Sequence, residues 1–211
     1  MKPISLSPYG QASSRPSPVN RMMAEFSADF RQGVDINLGV GYVNEKTIPD
    51  RAIYRALADV IDHPDRHRFA FNYGTSAGSE NLITSIRSHL VRSSVGGLSE
   101  KDLADKRVII GPNGATSLLE SIALVMSKGL VVTSDPMYYI YTNFLERLGF
   151  KLLAVPEDRE GPRMDLLQKQ LEQLGPERKA IRFIYLVTVS NPTCTIISNR
   201  RRREIVSSVL V

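Results

Sequence analysis

Cysteine is almost absent from this chain. A single one, Cys194, stands among 211 residues, so no disulfide can close within it and a reducing, cytoplasmic setting fits best. Histidine is nearly as scarce, with only His63, His67 and His89. One cysteine and three histidines do not make the usual zinc sites. His63 and His67 have helical i, i+4 spacing, but Pro64 lies between them and no glutamate accompanies them, so both are read as surface residues. No apolar run approaches the roughly 20 residues that cross a bilayer. The first twenty residues lack the apolar centre of a secretory leader, and their Ser, Pro and Gly content predicts an extended arm. No metal site and no membrane contact is therefore expected.

What is present is ordinary for a globular protein: 42% hydrophobic and 23% charged residues, which excludes collagen, coiled coil and wholesale disorder. The length is enough to bury a sizeable core. Net charge is +5, and much of it sits in Arg200-Arg201-Arg202-Arg203. No aromatic or glycine pattern interleaves with that run, so it reads as a solvated helix face or first turn, and nucleic acid is not an expected partner.

Apolar spacing predicts helices over Arg21–Phe30, Asp50–Ile61, Asn81–Val91, Thr116–Met126, Tyr139–Leu148, Met164–Leu174 and Ser198–Val211. Asp50 is the expected cap of the second. Short apolar runs predict strands at Arg107–Ile110, Leu130–Thr133, Lys151–Val155 and Phe183–Val189, with Ile36–Val40 a short strand or extended link. Strands alternating with helices predict an α/β fold: a mostly parallel sheet with helices on both faces.

Ligands of such sheets bind beyond the carboxyl ends of the strands. Three turns follow predicted strands and should converge there. Gly111-Pro112-Asn113-Gly114-Ala115-Thr116 opens a helix, where small residues and free N–H groups suit an anion. Asp135-Pro136-Met137-Tyr138-Tyr139 offers an aromatic that can stack on a planar ring. Ser190-Asn191-Pro192-Thr193 offers an amide at a strand end. Each alone also fits a plain turn.

In order and spacing the three turns resemble the class I/II aminotransferases of the fold-type-I pyridoxal-phosphate family. The resemblance covers residues 34–211. It implies that Asn113, Gly114 and Ala115 hold the phosphate of pyridoxal 5'-phosphate, with Thr116 nearby, that Tyr138 lies over the ring, and that Asn191 meets the ring hydroxyl. Two upstream pieces agree. Tyr73-Gly74-Thr75-Ser76-Ala77-Gly78 followed by Ile86-Arg87 is similar to the stretch whose tyrosine reaches the phosphate of a neighbouring subunit in a homodimer. Asn37-Leu38-Gly39-Val40-Gly41 is similar to the segment whose glycine, here Gly39, lines the substrate pocket. Asn-Pro-Thr with Ser198 and the arginine-rich stretch is closest to the aminoadipate and aromatic branch.

The resemblance also implies a domain plan: an N-terminal arm and short helix over residues 1–33, then a partial cofactor-binding large domain over 34–211. On that plan the rest of that domain and the small domain are expected to be missing from these 211 residues. In the family, the acid paired with the pyridine nitrogen, the lysine that holds the cofactor covalently and the arginine for the substrate carboxylate all follow the Asn-Pro turn. The expectation is thus a fragment without a catalytic residue, inactive alone. Lys128 before Gly129 suits a helix C-terminus instead. Lys106, Lys151 and Lys179 lie near strand starts, away from the turns. Cys194 stands where the family often has glycine. The implied activity is transfer of an amino group between an amino acid and a 2-oxo acid. The alternative is a non-catalytic binding or interaction protein derived from such a fragment.

Overall fold

The computed structural model describes residues 4–31, 33–36, 41 and 43–209. The chain divides into two compact units, residues 1–21 with 115–211 and residues 22–114.

The first unit holds the sheet. Helix α1 (Pro8–Ser13) opens it. Ser7 caps this helix by accepting from the Gly10 N–H at 3.1 Å, and Pro8 occupies the first turn, where its missing N–H costs nothing. The predicted arm is therefore not wholly extended: α1 is anchored by Tyr9, whose ring meets Phe144 edge-on at 5.8 Å.

Helix α2 (Pro18–Asp29) spans the division between the units. The second unit has α3 (Asp50–Asp62), α4 (Glu80–Arg92) and the short α5 (Glu100–Leu103). Asp50 does not cap α3. Pro49 holds the cap position, and the Asp50 carboxylate accepts from the Arg51 N–H at 2.6 Å, inside the first turn where a negative charge suits the helix dipole. Arg107–Ile110 is no strand, because the Ile110 N–H donates to the Ala77 carbonyl at 2.8 Å but no ladder follows among the described residues. The Ile36–Val40 reading falls largely outside the described residues.

The remaining elements alternate: α6 (Gly114–Val125), β1 (Leu130–Asp135), α7 (Tyr139–Arg147), β2 (Lys151–Asp158), β3 (Gly161–Pro162), α8 (Met164–Leu174), β4 (Ile181–Tyr185) and α9 (Asn199–Val209). The sheet order is β3-β2-β1-β4. β1 pairs in parallel with β2 and β4, while β3 folds back antiparallel on β2. Side chains alternate between faces. Val131, Leu152 and Phe183 join Ala123, Tyr141, Leu145 and Phe150 under α6 and α7. Val132, Leu153 and Val155 join Leu167 and Leu171 under α8. Both faces are covered, which is why the strands read as unbroken apolar runs. Leu145, Leu167, Val131 and Val155 are fully buried, each stabilising the unit by about 1.5–3 kcal/mol.

Two irregularities place the strand ends. Leu130 pairs with Ile181 but Val131 with Phe183, so Arg182 is the extra residue of a bulge. Ile181 and Ile184 consequently share the α8 face although three positions apart. Gly129 permits the close start of β1: a Cβ there would stand 2.3 Å from the Ala180 carbonyl oxygen. β4 also ends at Tyr185, its last partner on β1, and not at Val189 as predicted. Val189 instead bridges antiparallel to Ile196.

The arginine run is not uniformly solvated. Arg200, Arg202 and Arg203 are exposed, but Arg201 is buried. Its guanidinium donates to the Gly161 carbonyl at 3.2 Å, to the Pro162 carbonyl and to Asp158 at 3.0 Å. Helical spacing turns one arginine of four inward onto the β2–β3 hairpin. Among the described residues no helix is long and apolar enough to cross a membrane.

Candidate functional site

Three segments of the first unit lie at the carboxyl end of its parallel strands. Residues 126–129 are all that separate α6 from β1, so the chain reverses and α6 runs back over the strand, with Ala123 and Leu119 against Val131. The N-terminal end of α6, with Ala115 and Thr116, thus lies at the level where β1 ends. Gly114, the helix's first residue, has φ +65°, which glycine adopts at no steric cost, and among the described residues nothing beyond its chain neighbours and its own helix backbone lies within 4 Å of where a side chain would start. Ala115 and Thr116 are exposed there.

The second segment leaves β1 through Asp135-Pro136, where the peptide bond is cis. Met137 is buried and roots the turn. Tyr138, half-buried at the start of α7, packs on the same cluster as Val131 and lies 6.1 Å from the Tyr139 ring. Two further tyrosines stand with it. Tyr141 and Tyr185 meet edge-on at 4.6 Å, and the Tyr141 hydroxyl donates to the Leu119 carbonyl at 3.0 Å. Burial, with a smaller contribution from Tyr185, pushes the Tyr141 phenol up to about 12. Burial and then Tyr138 raise that of Tyr185. Both phenols therefore stay protonated donors at neutral pH. Sequence reasoning missed this pair. Tyr185 could have been found, since strand alternation puts it on the face of Val131 and Phe183.

The third segment follows β4. Residues 188–197 form a narrow loop closed by the Ser190 N–H to the Thr195 carbonyl (2.8 Å), the Cys194 N–H to the Ser190 carbonyl (2.8 Å) and the Ile197 N–H to the Thr188 carbonyl (3.1 Å). Asn191 and Pro192, joined by a cis peptide, lie exposed at its tip. Thr193 donates to Glu157, one residue past the β2 position that pairs with Asp135. The tip is thereby fixed at the carboxyl end of the sheet. Cys194 is exposed and has φ +59°, so the cysteine adopts a left-handed conformation that glycine would hold without strain. The loop is more than the plain turn that Asn-Pro alone signals.

The remaining predicted site residues fall within the second unit's span or outside the described residues. Asn113 and Gly114 fall at the end of the second unit's span, and Tyr73, 96% exposed, lies within that unit. Arg87, from the same predicted motif, donates to the carbonyls of Lys106 (2.8 Å) and Leu103 (2.6 Å) and so ties α4 to the segment after α5. Gly39 lies outside the described residues. His63 and His67 both bond the Asp59 carboxylate, at 3.0 and 2.7 Å. Among the described residues no group of three or more His, Cys, Asp or Glu is arranged to hold a metal.

The family model for aminotransferase class I and II matches residues 34–210. The chain belongs to the class I and II aminotransferases. This aminotransferase-family chain is 25% identical over 175 residues to the uncharacterized HTH-type transcriptional regulator YisV of Bacillus subtilis, covering 82% of this chain and 33% of the relative. It is 23% identical over 173 residues to aromatic-amino-acid aminotransferase 1 of Thermococcus litoralis, covering 81% and 40%. Kynurenine aminotransferase of Pyrococcus horikoshii superposes with TM-score 0.79 at 23% identity over 94% of this chain and 48% of that one. The multiple substrate aminotransferase of Thermococcus profundus gives 0.76 at 21%, over 97% and 48%. At these identities the likeness of structures is one of fold. The chain spans between a third and a half of the length of these relatives.

Proposed function

We propose that this chain supplies the cofactor-binding part of a pyridoxal-phosphate-dependent aminotransferase, which moves an amino group between an amino acid and a 2-oxo acid. The observation that carries the reading is the arrival of Ala115, Tyr138 and Asn191 at one end of one parallel sheet, the end where ligands of open α/β sheets bind.

The residues present fit pyridoxal 5'-phosphate. Gly114 takes φ +65° at no steric cost, and the start of a 12-residue helix presents the positive end of a dipole to an anion. Asn113, Gly114 and Ala115, with Thr116 beside them, would hold the phosphate. Tyr138 offers one half-buried ring to a planar partner, and the Asn191 amide offers a donor to a ring hydroxyl. Two buried hydroxyls at this end, Thr133 Oγ1 and Ser190 Oγ, have no hydrogen-bond partner among the described residues, which leaves polar capacity for a ligand. When bound, the cofactor supplies an electron sink for charge left by a departing proton. This chain's own share is to bind, to orient and to cover one ring face. By resemblance, the lysine and the substrate-carboxylate arginine of such an enzyme would follow the Asn-Pro turn. The whole enzyme would be a cytoplasmic homodimer, with Tyr73 reaching the neighbouring subunit's phosphate and Gly39 lining the substrate pocket.

Titrating the chain with pyridoxal 5'-phosphate, with inorganic phosphate as competitor, tests the reading. Saturable, phosphate-competed binding without a single borohydride-reducible lysine adduct is expected. Lack of saturable binding refutes the cradle, and one specific reducible lysine refutes the assignment of that residue to the rest of the family's chain.

The likeness to a protein named as a transcriptional regulator favours a second reading: a non-catalytic binding or interaction protein built on an aminotransferase fragment. That reading expects a folded, soluble oligomer in sedimentation without any ligand.

A further inference from the structure

The Asn-Pro loop is held from outside itself, by the hairpin that joins β2 to β3. Thr193 is exposed yet donates its hydroxyl to Glu157 on β2, and the same hydroxyl accepts from the Thr195 N–H at 3.3 Å. Thr193 stands two residues beyond Asn191, on the strained side of the tip where Cys194 has its positive φ. The returning strand of the loop is pinned as well. Ile197 is 5% exposed and packs on Gly161, where a Cβ would stand 3.2 Å from its side chain. The Ser198 N–H donates to the Glu160 carbonyl at 3.1 Å. Arg201 closes the arrangement by binding the Gly161 and Pro162 carbonyls and the Asp158 carboxylate. Arg200 adds contacts to Glu160 and Glu204. Glu157 thus stands on a hairpin whose own shape is fixed by α9.

We propose that Glu157 is a positioning residue for Asn191: through Thr193 it fixes the direction in which the Asn191 amide points, and Arg201 fixes the hairpin that carries Glu157. The proposal rests on the reading of Asn191 as the partner of a ring hydroxyl. A side-chain amide on a free loop tip samples many directions, and ordering it in advance removes that entropy from the binding step. A carboxylate accepting from a hydroxyl is a charge-assisted hydrogen bond, stronger than a neutral one, and suits this purpose.

The test uses the chain itself and two ligands, pyridoxal 5'-phosphate and an analogue lacking the ring hydroxyl. Thr193→Val removes the donor at nearly constant shape, Glu157→Ala removes the acceptor, and Thr193→Ser restores the bond. Amide hydrogen exchange reads the loop without any ligand. Protection of the Ser190 and Cys194 amides is expected to fall about tenfold in Thr193→Val and Glu157→Ala, to stay at the parental level in Thr193→Ser, and to leave the β1 amides unchanged. Pyridoxal 5'-phosphate binding is expected to weaken about fivefold in the same two variants, with binding of the analogue unaffected. Thr193→Val combined with Glu157→Ala should be no worse than either alone. Unchanged exchange at Ser190 and Cys194, equal loss for both ligands, or additive effects in the double variant would each overturn the proposal. A parent chain that binds neither ligand sinks the cofactor reading and this one with it. A parent that binds both, beside variants that behave like it, sinks this one alone.

Discussion

Among the described residues, buried apolar side chains fall almost wholly in the unit of residues 1–21 and 115–211; in the unit of residues 22–114 only Leu103 joins them. Both units contain amphipathic helices. In the first, α6, α7 and α8 lie on a sheet, and Ala123, Leu145, Leu167 and Leu171 are buried against it. In the second, α3 carries Ile53, Leu57 and Ile61 at 49%, 53% and 63% exposure, and no described strand lies in that unit to receive them. Helical periodicity says which face of a helix is apolar. It does not say whether the same unit has anything to cover that face, and in proteins most helical stability comes from that cover.

Substitutions can sharpen or break this contrast. Leu145→Ala, at a fully buried position between α7 and the sheet, should lower stability by about 4 kcal/mol in chemical denaturation. A loss as small as that of a surface change would mean the sheet unit is not the stable core described.

Arg201→Met should cost about 2 kcal/mol, less than a fully buried pair, because Asp158 and Glu160 remain 43% exposed and can be rehydrated. It should also change the acid limb of stability. The Glu160 backbone N–H first, and Arg201 after it, hold the Asp158 carboxyl below its ordinary 3.8, while the Arg200 guanidinium first, and Ser198 after it, hold Glu160 below 4.5. A carboxyl lowered in the folded state contributes stability that is complete above the ordinary value and is lost as pH falls through the lowered one. Denaturation midpoints should therefore fall below about pH 4.5 in the parent, and less steeply in Arg201→Met. Asp158 keeps the hydrogen bond from the Glu160 N–H, so the acid sensitivity shrinks without vanishing. Identical acid limbs would show that Arg201 does not hold the hairpin.

Leu57→Ala on α3 is the smallest expected effect, about 0.5 kcal/mol or less by the same measurement. A loss near that of Leu145→Ala would show that α3 is covered in solution by something that leaves the described contrast incomplete.

Much of this architecture was legible in the chain. Val131–Val132, Leu152–Leu153 and Phe183–Ile184 signal strands buried on both faces, and α6 to α9 fall within two residues of their apolar patterns. The errors have physical causes. Arg107–Ile110 has strand composition but no ladder partner, and strand formation depends on a partner. The end of β4 is set by where β1 stops, which Leu186–Val189 cannot reveal. β3 is two residues long and exists through its register with Glu157 and Asp158. Of the candidate site, Tyr138 and Asn191 could be named from turn chemistry. Tyr141 and Tyr185 could not be paired without the register of β4, nor Glu157 with Thr193 without the fold that brings residues 36 positions apart together.

The central claim is that the start of α6, Tyr138 and Asn191 form one ligand site at the carboxyl end of the sheet. Two-dimensional NMR of the labelled chain during titration with pyridoxal 5'-phosphate addresses it most directly. The account predicts that the amide signals of Ala115, Tyr138 and Asn191 shift together along one saturation curve, while those of Leu167 and Leu171 under α8 stay still. Shifts confined to other residues, or separate curves for the three, would contradict it.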